Sequence, residues 1–126
     1  MIDRRKFKRL QINITVIYRV REPLIARIVI GDNEIEASAL NLSQGGIALV
    51  TSRNVPCETV LDIRFSLSKM DPKGLVSLYA PMKISGQVRS NLKLSEDEFR
   101  LGICFVEINA KDKAKIAEFV EQVKSA

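Results

Sequence analysis

Residues 37–50 read ASALNLSQGGIALV, in which two apolar runs flank the polar segment NLSQGG (41–46). Turns favour Asn, Ser and Gly because these residues hydrogen-bond locally or tolerate unusual backbone angles. The pattern therefore predicts a strand that breaks at Asn41 and a second strand that begins at Ile47. Taken alone, the segment is an ordinary polar turn, and its meaning depends on the rest of the chain.

On both sides of this segment, most of the chain has the pattern of short β-strands. Apolar and polar side chains alternate along 10–19, which is the period of a half-buried strand. Further extended runs are predicted at 24–30, 34–42, 47–52, 60–67, 82–90 and 99–108, the first two as a hairpin around Gly31-Asp32-Asn33. About seven such runs with turns between them are typical of an antiparallel barrel or sandwich. The segments 68–75 and 95–98 are predicted to be mobile loops.

The C-terminal segment changes to helical periodicity. Asn109 is a suitable N-cap, and Asp112 follows three residues later. Lysines and glutamates fill one face of the segment, while apolar side chains recur at helical spacing on the other, at Ile116, Phe119, Val120 and Val123. A helix packed on the β-structure is therefore predicted over 109–125.

The charge of the chain is concentrated at its N-terminus. The sequence has a net charge of +5, and residues 1–9 supply +4 of it, from Asp3 and the five cations Arg4, Arg5, Lys6, Lys8 and Arg9. A nucleic-acid-binding domain usually spreads Lys and Arg over a face of its fold, whereas this body is almost neutral. Because like charges repel and the segment has little apolar surface, residues 1–9 are expected to be mobile without a ligand.

Cysteine and histidine usage argues against several kinds of chemistry. The chain has no histidine and two cysteines, Cys57 and Cys104, which form no CxxC spacing. This disfavours a zinc site and a Ser/His or Cys/His nucleophile pair, and the 15 carboxylates are scattered. We expect a protein that is not an enzyme, with no catalytic residue, metal or cofactor. Both thiols are predicted to be reduced packing residues.

Length and hydropathy indicate a single cytoplasmic domain. The 126 residues fit one hydrophobic core. No run approaches the roughly 18 apolar residues of a membrane span, and Met1 leads into charged residues rather than into a secretory signal. The chain is therefore predicted to be cytoplasmic.

Two motifs together resemble the signatures of the PilZ domain family, which are RxxxR and [D/N]xSxxG. The first is present from Arg5 to Arg9, and the second at Asn41, Ser43 and Gly46. The later segments SGQVRS and FRLGICFVEI, with a G-x-x-F pattern, are similar to the closing strands of the family. The resemblance extends from Asp3 to the C-terminus, essentially the whole chain.

The resemblance implies an all-β fold with a C-terminal helix: a six-stranded antiparallel β-barrel of PilZ type that binds the bacterial second messenger cyclic di-GMP. The chain is then a single domain over 1–126, with an RxxxR arm at 1–9, a barrel at 10–108 and a helix at 109–125. Since about seven extended runs are predicted, one of them is expected to lie outside the barrel or to be a loop. The implied function is a receptor or adaptor that changes its surface for a downstream protein partner.

The resemblance also implies the residues that bind the ligand, which are Arg4, Arg5, Arg9, Asn41, Ser43, Gly45 and Gly46. A guanidinium fork matches the O6 and N7 acceptors of guanine and also binds phosphate, whereas lysine lacks the paired geometry. Asn41 and Ser43 present short polar groups to a base, and glycine at position 46 permits close approach or an unusual backbone angle. Asn41 in place of Asp gives up a charge-assisted bond. Arg4, a third arginine, favours an intercalated pair of ligands.

Two other classes of function remain open. One is a PilZ-like protein-interaction module that does not bind nucleotide, although such a module would more naturally have lost Arg5, Arg9 or Ser43. The other is a small barrel that binds single-stranded nucleic acid through stacking aromatics and cations. The second is disfavoured because the chain has two Tyr, five Phe and no Trp, and because its body is nearly neutral.

Overall fold

The structure is a computed structural model that describes residues 10–70, 73–74, 76–78 and 81–125. The described residues form eight strands: β1 (Leu10–Glu22), β2 (Ile35–Leu42), β3 (Gly46–Thr51), β4 (Val60–Phe65), β5 (Ser68–Met70), β6 (Val76–Leu78), β7 (Met82–Ser95) and β8 (Glu98–Glu107). They also form two helices, α1 (Leu24–Ile30) and α2 (Ala110–Ser125).

Six of the strands close into one antiparallel barrel in the order β1-β2-β3-β8-β7-β4, with β4 hydrogen-bonded back to β1. The remaining pair, β5 and β6, forms a separate two-stranded sheet. The predicted six-stranded antiparallel barrel with a C-terminal helix is confirmed. Closure leaves the barrel strands without a free sheet edge.

Alternating side chains of the barrel strands fill its interior. Along β1, Val16, Tyr18 and Val20 are almost completely buried, as the period of two requires. The Tyr18 hydroxyl forms a 2.6 Å hydrogen bond with the Thr51 Oγ1 on β3. Burial raises the pKa of the Tyr18 phenol above its ordinary value, against the smaller opposing effect of the bond to Thr51. The core therefore contains a polar group whose partner lies on a different strand.

The helix α2 begins where the sequence predicts. The Asn109 Oδ1 accepts the Asp112 N–H at 2.7 Å, which is the bond that an N-cap supplies to the first turn of a helix. Ile116, Phe119 and Val120 are buried and belong to the same core cluster as the barrel interior. The helix thus contributes one face to the single hydrophobic core.

The segment LIARIVI, predicted as a strand, is the helix α1, so this prediction is wrong. Pro23 occupies the N-cap position, and the Gly31 N–H donates to the Arg27 carbonyl at 2.9 Å to end the helix. The Gly31 φ of 110° lies in the region that glycine adopts readily. The predicted turn residue Gly31 is therefore a helix C-cap. Because the predicted run at 24–30 is a helix, the other six predicted runs correspond to the six barrel strands.

The two segments predicted as loops contain strand residues in the parts that the structure describes. The segment 68–75 contributes β5, which pairs with β6. In the segment 95–98, Ser95 and Glu98 are strand partners, so only two residues form the turn between β7 and β8. Within the described segments, no helix has the length and apolar character needed to cross a bilayer.

Both cysteines are free, as predicted, but neither is a packing residue. Cys57 and Cys104 are exposed. Cys57 lies in the connection before β4, and Cys104 faces outward from β8. The prediction of buried thiols is wrong because it used the typical burial of cysteine and not the register of the strands.

Candidate functional site

Four of the predicted site residues lie in one short segment at the junction of β2 and β3: Asn41, Ser43, Gly45 and Gly46. The other three, Arg4, Arg5 and Arg9, lie outside the described residues. The described part of the candidate site is therefore the NxSxxG turn and the strands beside it.

The turn between β2 and β3 is closed by its own polar groups. The Ser43 N–H donates to the Gly46 carbonyl at 2.9 Å, and the Ser43 Oγ accepts the Gly45 N–H at 3.2 Å. The hydroxyl proton of Ser43 has the Gly46 carbonyl as a distant acceptor at 3.5 Å. A hydroxyl has one donor and two acceptor sites, and hydrogen bonds of this length are weak. The Ser43 side chain therefore shapes the turn and retains a donor that a ligand can use.

The turn is also attached to β8. The Phe105 N–H donates to the Gly45 carbonyl at 2.9 Å, and Gly46 is the strand partner of Cys104. A Cβ on Gly46 would lie much closer to the Ile103 carbonyl oxygen than 3.0 Å, a distance below which Cβ contacts essentially never occur in proteins. The φ of Gly46 lies outside the left-handed region. Of the two reasons predicted for this glycine, the structure supports close approach, and the approaching group is the backbone of β8.

A β-bulge places Asn41 on the outer face of the barrel. Ala39 pairs with Leu49 and Asn41 with Ala48, so Leu40 is an extra residue on β2. Ala39 and Leu49 belong to the hydrophobic core, and because side chains alternate between faces, the next pair points outward. Asn41 is nevertheless only 5% exposed. Bulges often re-aim a side chain beside a functional site, which fits the position of this amide next to the turn.

The first described residues of the chain lie beside the same segment. Leu10 is the strand partner of Leu42, and Gln11 is the strand partner of Asn41. A second bulge follows, because the register shifts between Gln11 and Ile14. The beginning of β1 and the end of β2 are therefore adjacent at the NxSxxG turn.

Sequence reasoning misses two outward-facing residues beside the turn. Cys104, the strand partner of Gly46, pairs on its other side with Gln87 of β7. Cys104 is exposed. The signal was present in the sequence, because Leu101 and Ile103 are buried and alternation then directs the side chain at position 104 outward.

A second polar surface, across β1, β4 and the end of β8, contains two groups of paired charges. Arg21 bonds to Glu107 at 2.9 Å and lies 3.7 Å from Asp62, and these two carboxylates raise the pKa of Arg21 above its usual value. Arg64 pairs with Glu34 at 3.1 Å. Because these guanidinium groups already have carboxylate partners, the surface fits structural ion pairs better than a site for an anionic ligand.

Comparison with known families and structures identifies the relatives of the chain. Residues 3–122 match the PilZ domain model. No curated protein matches the sequence. The structure is similar to that of the Bacillus subtilis inhibitor of motility MotI (DgrA), with a TM-score of 0.71 and 18% identity, over 98% of this chain and 52% of that one.

Two further structures of similar fold contain cyclic di-GMP. The K. pneumonia MrkH–c-di-GMP complex has a TM-score of 0.63 and 13% identity, over 97% of this chain and 52% of that one. The PilZ domain of Escherichia coli YcgR with c-di-GMP has a TM-score of 0.57 and 12% identity, over 98% of this chain and 93% of that one. The chain thus spans about half the length of MotI and MrkH and nearly all of the isolated YcgR domain.

Proposed function

This chain belongs to the PilZ domain family, and on that premise we propose that it is a receptor for cyclic di-GMP and not an enzyme. The dinucleotide is held between Arg5 and Arg9 of the RxxxR arm and Asn41 and Ser43 of the NxSxxG turn. Two proteins of similar fold, MrkH and the PilZ domain of YcgR, have structures with this dinucleotide. The same ligand is proposed here because the chain carries both motifs of the family.

The observation that carries the proposal is the register of β1 on β2. Leu10 and Gln11 pair with Leu42 and Asn41, so these residues of β1 lie beside the second motif. Arg9 directly precedes Leu10, and consecutive Cα atoms are about 3.8 Å apart. The RxxxR motif therefore ends one residue before the strand that pairs with the NxSxxG motif, which supports a site shared between the two motifs.

The arginines suit both parts of the ligand. Cyclic di-GMP has two guanines and two phosphodiester anions, and a guanidinium can bind either the guanine O6 and N7 atoms or a phosphate with paired hydrogen bonds. It can also stack on a base. Arg5 and Arg9 are therefore assigned to direct contacts, whereas Lys6 and Lys8 contribute long-range attraction.

The turn supplies the complementary groups. Among the described residues, the Ser43 hydroxyl proton has only the distant Gly46 carbonyl as an acceptor, at 3.5 Å, and this proton can be donated to a phosphate or a base. Asn41 presents an amide oxygen to the N1 and N2 donors of guanine, with a weaker bond than a carboxylate would form. Gly45 and Gly46 hold the turn against β8, which keeps its backbone in place for the ligand.

Arg4 sets the stoichiometry in this proposal. It stands directly before the RxxxR motif and adds a third guanidinium to the arm. An intercalated pair of ligands has twice the phosphate charge of a single molecule, so an additional cation stabilises the pair. We therefore assign two molecules of cyclic di-GMP to each chain.

The output is a change of surface. Binding neutralises the cations of residues 1–9 and holds the arm against the turn at 41–46, so a downstream partner protein meets a different surface in the ligand-bound state. In this scheme the barrel is a rigid support and the arm is the element that responds.

Calorimetric titration of the full chain with cyclic di-GMP tests the proposal. We expect saturable binding with a dissociation constant in the low micromolar range or below. Arg5→Ala and Arg9→Ala should each weaken binding by at least about tenfold, since each removes charge-assisted hydrogen bonds. Lys6→Ala and Lys8→Ala are the matched controls, because each removes one charge from the same arm and should weaken binding by less than about threefold.

Each other outcome of this titration has a defined meaning. Equal losses of cyclic di-GMP affinity in the arginine and lysine variants would show that the arm acts only through its total charge. Binding only to oligonucleotides, with affinity that falls steeply with salt, would identify a nucleic-acid-binding barrel. Absence of binding to either ligand would identify a protein-interaction module. If the Arg4→Ala variant still binds two ligands per chain, the assignment of the stoichiometry to Arg4 is wrong.

A further inference from the structure

The helix α1 has an apolar face that the described part of the chain leaves exposed. Leu24, Ile25, Ile28 and Val29 are 66%, 70%, 72% and 77% exposed, and Ala26 is the buried residue of the helix. Single exposed apolar side chains are common on protein surfaces. Four neighbours on one seven-residue helix are different, because contiguous apolar patches mark interaction surfaces.

An apolar groove lies directly beside this face. It has a volume of about 480 Å³ and is lined by Ile25 and Val29 on one side and by Pro56, Cys57 and Val60 on the other. Leu24 and Ile28 do not line it. The same surface therefore contains both a groove and projecting apolar side chains that point elsewhere.

We propose that α1 and this groove form the interface of a homodimer, in which Ile28 and Leu24 of each copy enter the groove of the other. A two-fold axis uses the same patch on both subunits, so it requires a surface that is complementary to itself. Projections beside a groove of matching chemistry meet that requirement. This proposal is independent of the ligand and goes beyond the proposed receptor function.

The charges around the groove favour a second copy over an anionic partner. Arg27 pairs with Asp32 at 3.0 Å, and Arg89 lies 3.8 Å from Glu58. Glu22, which also lines the groove, adds another acid. Two cations against three acids do not attract nucleic acid or an anionic membrane, which require basic residues around the apolar face. The Arg27–Asp32 and Arg89–Glu58 pairs are each balanced within one subunit, so these four charges do not repel an identical subunit.

Sedimentation over a range of concentrations tests the oligomeric state. The wild-type chain should form dimers, and Ile28→Asp should raise the dimer dissociation constant by at least about 30-fold, as expected for a central apolar contact. Leu92→Asp is the control, because Leu92 is an exposed apolar residue on β7 that does not line the groove. This variant should dimerise like the wild type. A wild-type chain that is monomeric throughout, or a dimer that Ile28→Asp leaves unchanged, would overturn the proposal.

Disulfide trapping tests the position of the contact. Cys57 is free and exposed in the groove, so Ile28→Cys should form a covalent dimer under mild oxidation. The double variant Ile28→Cys with Cys57→Ser should not. A covalent dimer that persists in the double variant contradicts the proposed seating of α1. A monomeric wild type that sediments with vesicles of phosphatidylcholine and phosphatidylglycerol, in a manner lost in Ile28→Asp, would instead assign the face to a membrane surface.

Discussion

Replacing Gly46 with alanine should destabilise the fold even without ligand, because this glycine of the NxSxxG motif is packed against another strand. A Cβ at this position would overlap the Ile103 carbonyl oxygen and lie 3.3 Å from its carbonyl carbon. Both are backbone atoms, so they cannot rotate away. To restore ordinary contact, β3 and β8 must separate by about 1 Å, since unstrained carbon–oxygen contacts are about 3.3 Å.

The size of the effect follows from what that separation breaks. Overpacking of this kind costs about 1–3 kcal/mol. A shift of about 1 Å would also weaken the 2.9 Å bond from the Phe105 N–H to the Gly45 carbonyl, and such a bond contributes about 1 kcal/mol. The total is about 2–4 kcal/mol, which for a domain of this size lowers the melting temperature by roughly 10 °C. Since domains are stable by about 5–15 kcal/mol, the variant should still fold.

Thermal unfolding followed by circular dichroism, without ligand, measures this effect. Gly102→Ala is the matched control, because a Cβ there would meet only the Ser90 Oγ and Cβ, atoms of an exposed side chain that can rotate. The control should melt within about 3 °C of the wild type. If Gly46→Ala and Gly102→Ala melt at the same temperature, the close approach of β8 does not require glycine, and the structural explanation of Gly46 is wrong.

Three further predictions concern single side chains. Tyr18→Phe should cost about 1 kcal/mol at neutral pH by removing the bond to Thr51. Burial raises the pKa of the phenol above its ordinary 10.0. The stability difference between the wild type and Tyr18→Phe should therefore be constant below pH 10.0 and should decrease as the pH rises above 10.0. Urea unfolding of both proteins at several pH values measures this difference. Asn109→Ala should cost about 1 kcal/mol by removing the cap to the Asp112 N–H, and should leave the barrel intact by near-ultraviolet circular dichroism. Asn41→Asp should lower the melting temperature without ligand, because the side chain is buried, and should tighten cyclic di-GMP binding by about fivefold through a charge-assisted bond. An Asn41→Asp variant that binds no more tightly would argue against contact between this residue and guanine.

The barrel could be predicted because its strands keep a regular period. Along β1 the inward residues Val16, Tyr18 and Val20 alternate with mostly polar neighbours, so the strand is recognisable without its partners. The C-terminal helix could be predicted equally well, because Asn109 is a suitable cap and because apolar residues recur at helical spacing at Ile116, Phe119 and Val120. In both elements, local pattern and tertiary packing agree.

The helix α1 could not be predicted from pattern alone. LIARIVI is a continuous apolar run, and periodicity does not separate a short buried strand from a short helix. Its Ile and Val residues favour strands, which misled the interpretation. Pro23 directly before the run and Gly31 directly after it were the better evidence, because proline is common near the start of helices and glycine just after their end.

The candidate site was recognised by family resemblance rather than by its chemistry. The motif identifies Ser43 and Gly46, but it does not say that Gly46 is required by Ile103, which lies 57 positions later in the sequence and meets it only through the register of β3 on β8. The outward position of Asn41 likewise depends on a bulge at Leu40. Such long-range relationships require the strand pairing.

Titration of the ¹⁵N-labelled chain with cyclic di-GMP, followed through its amide spectra, tests whether the dinucleotide binds between the N-terminal arm and the NxSxxG turn. We predict saturable shifts at Ser43, Gly45 and Gly46, together with slower motion of residues 3–9 in the bound state. Amides on the second polar surface, such as Asp62, should not shift. Binding that leaves the turn amides unshifted, or residues 3–9 equally rigid with and without ligand, would contradict the proposed mode of binding.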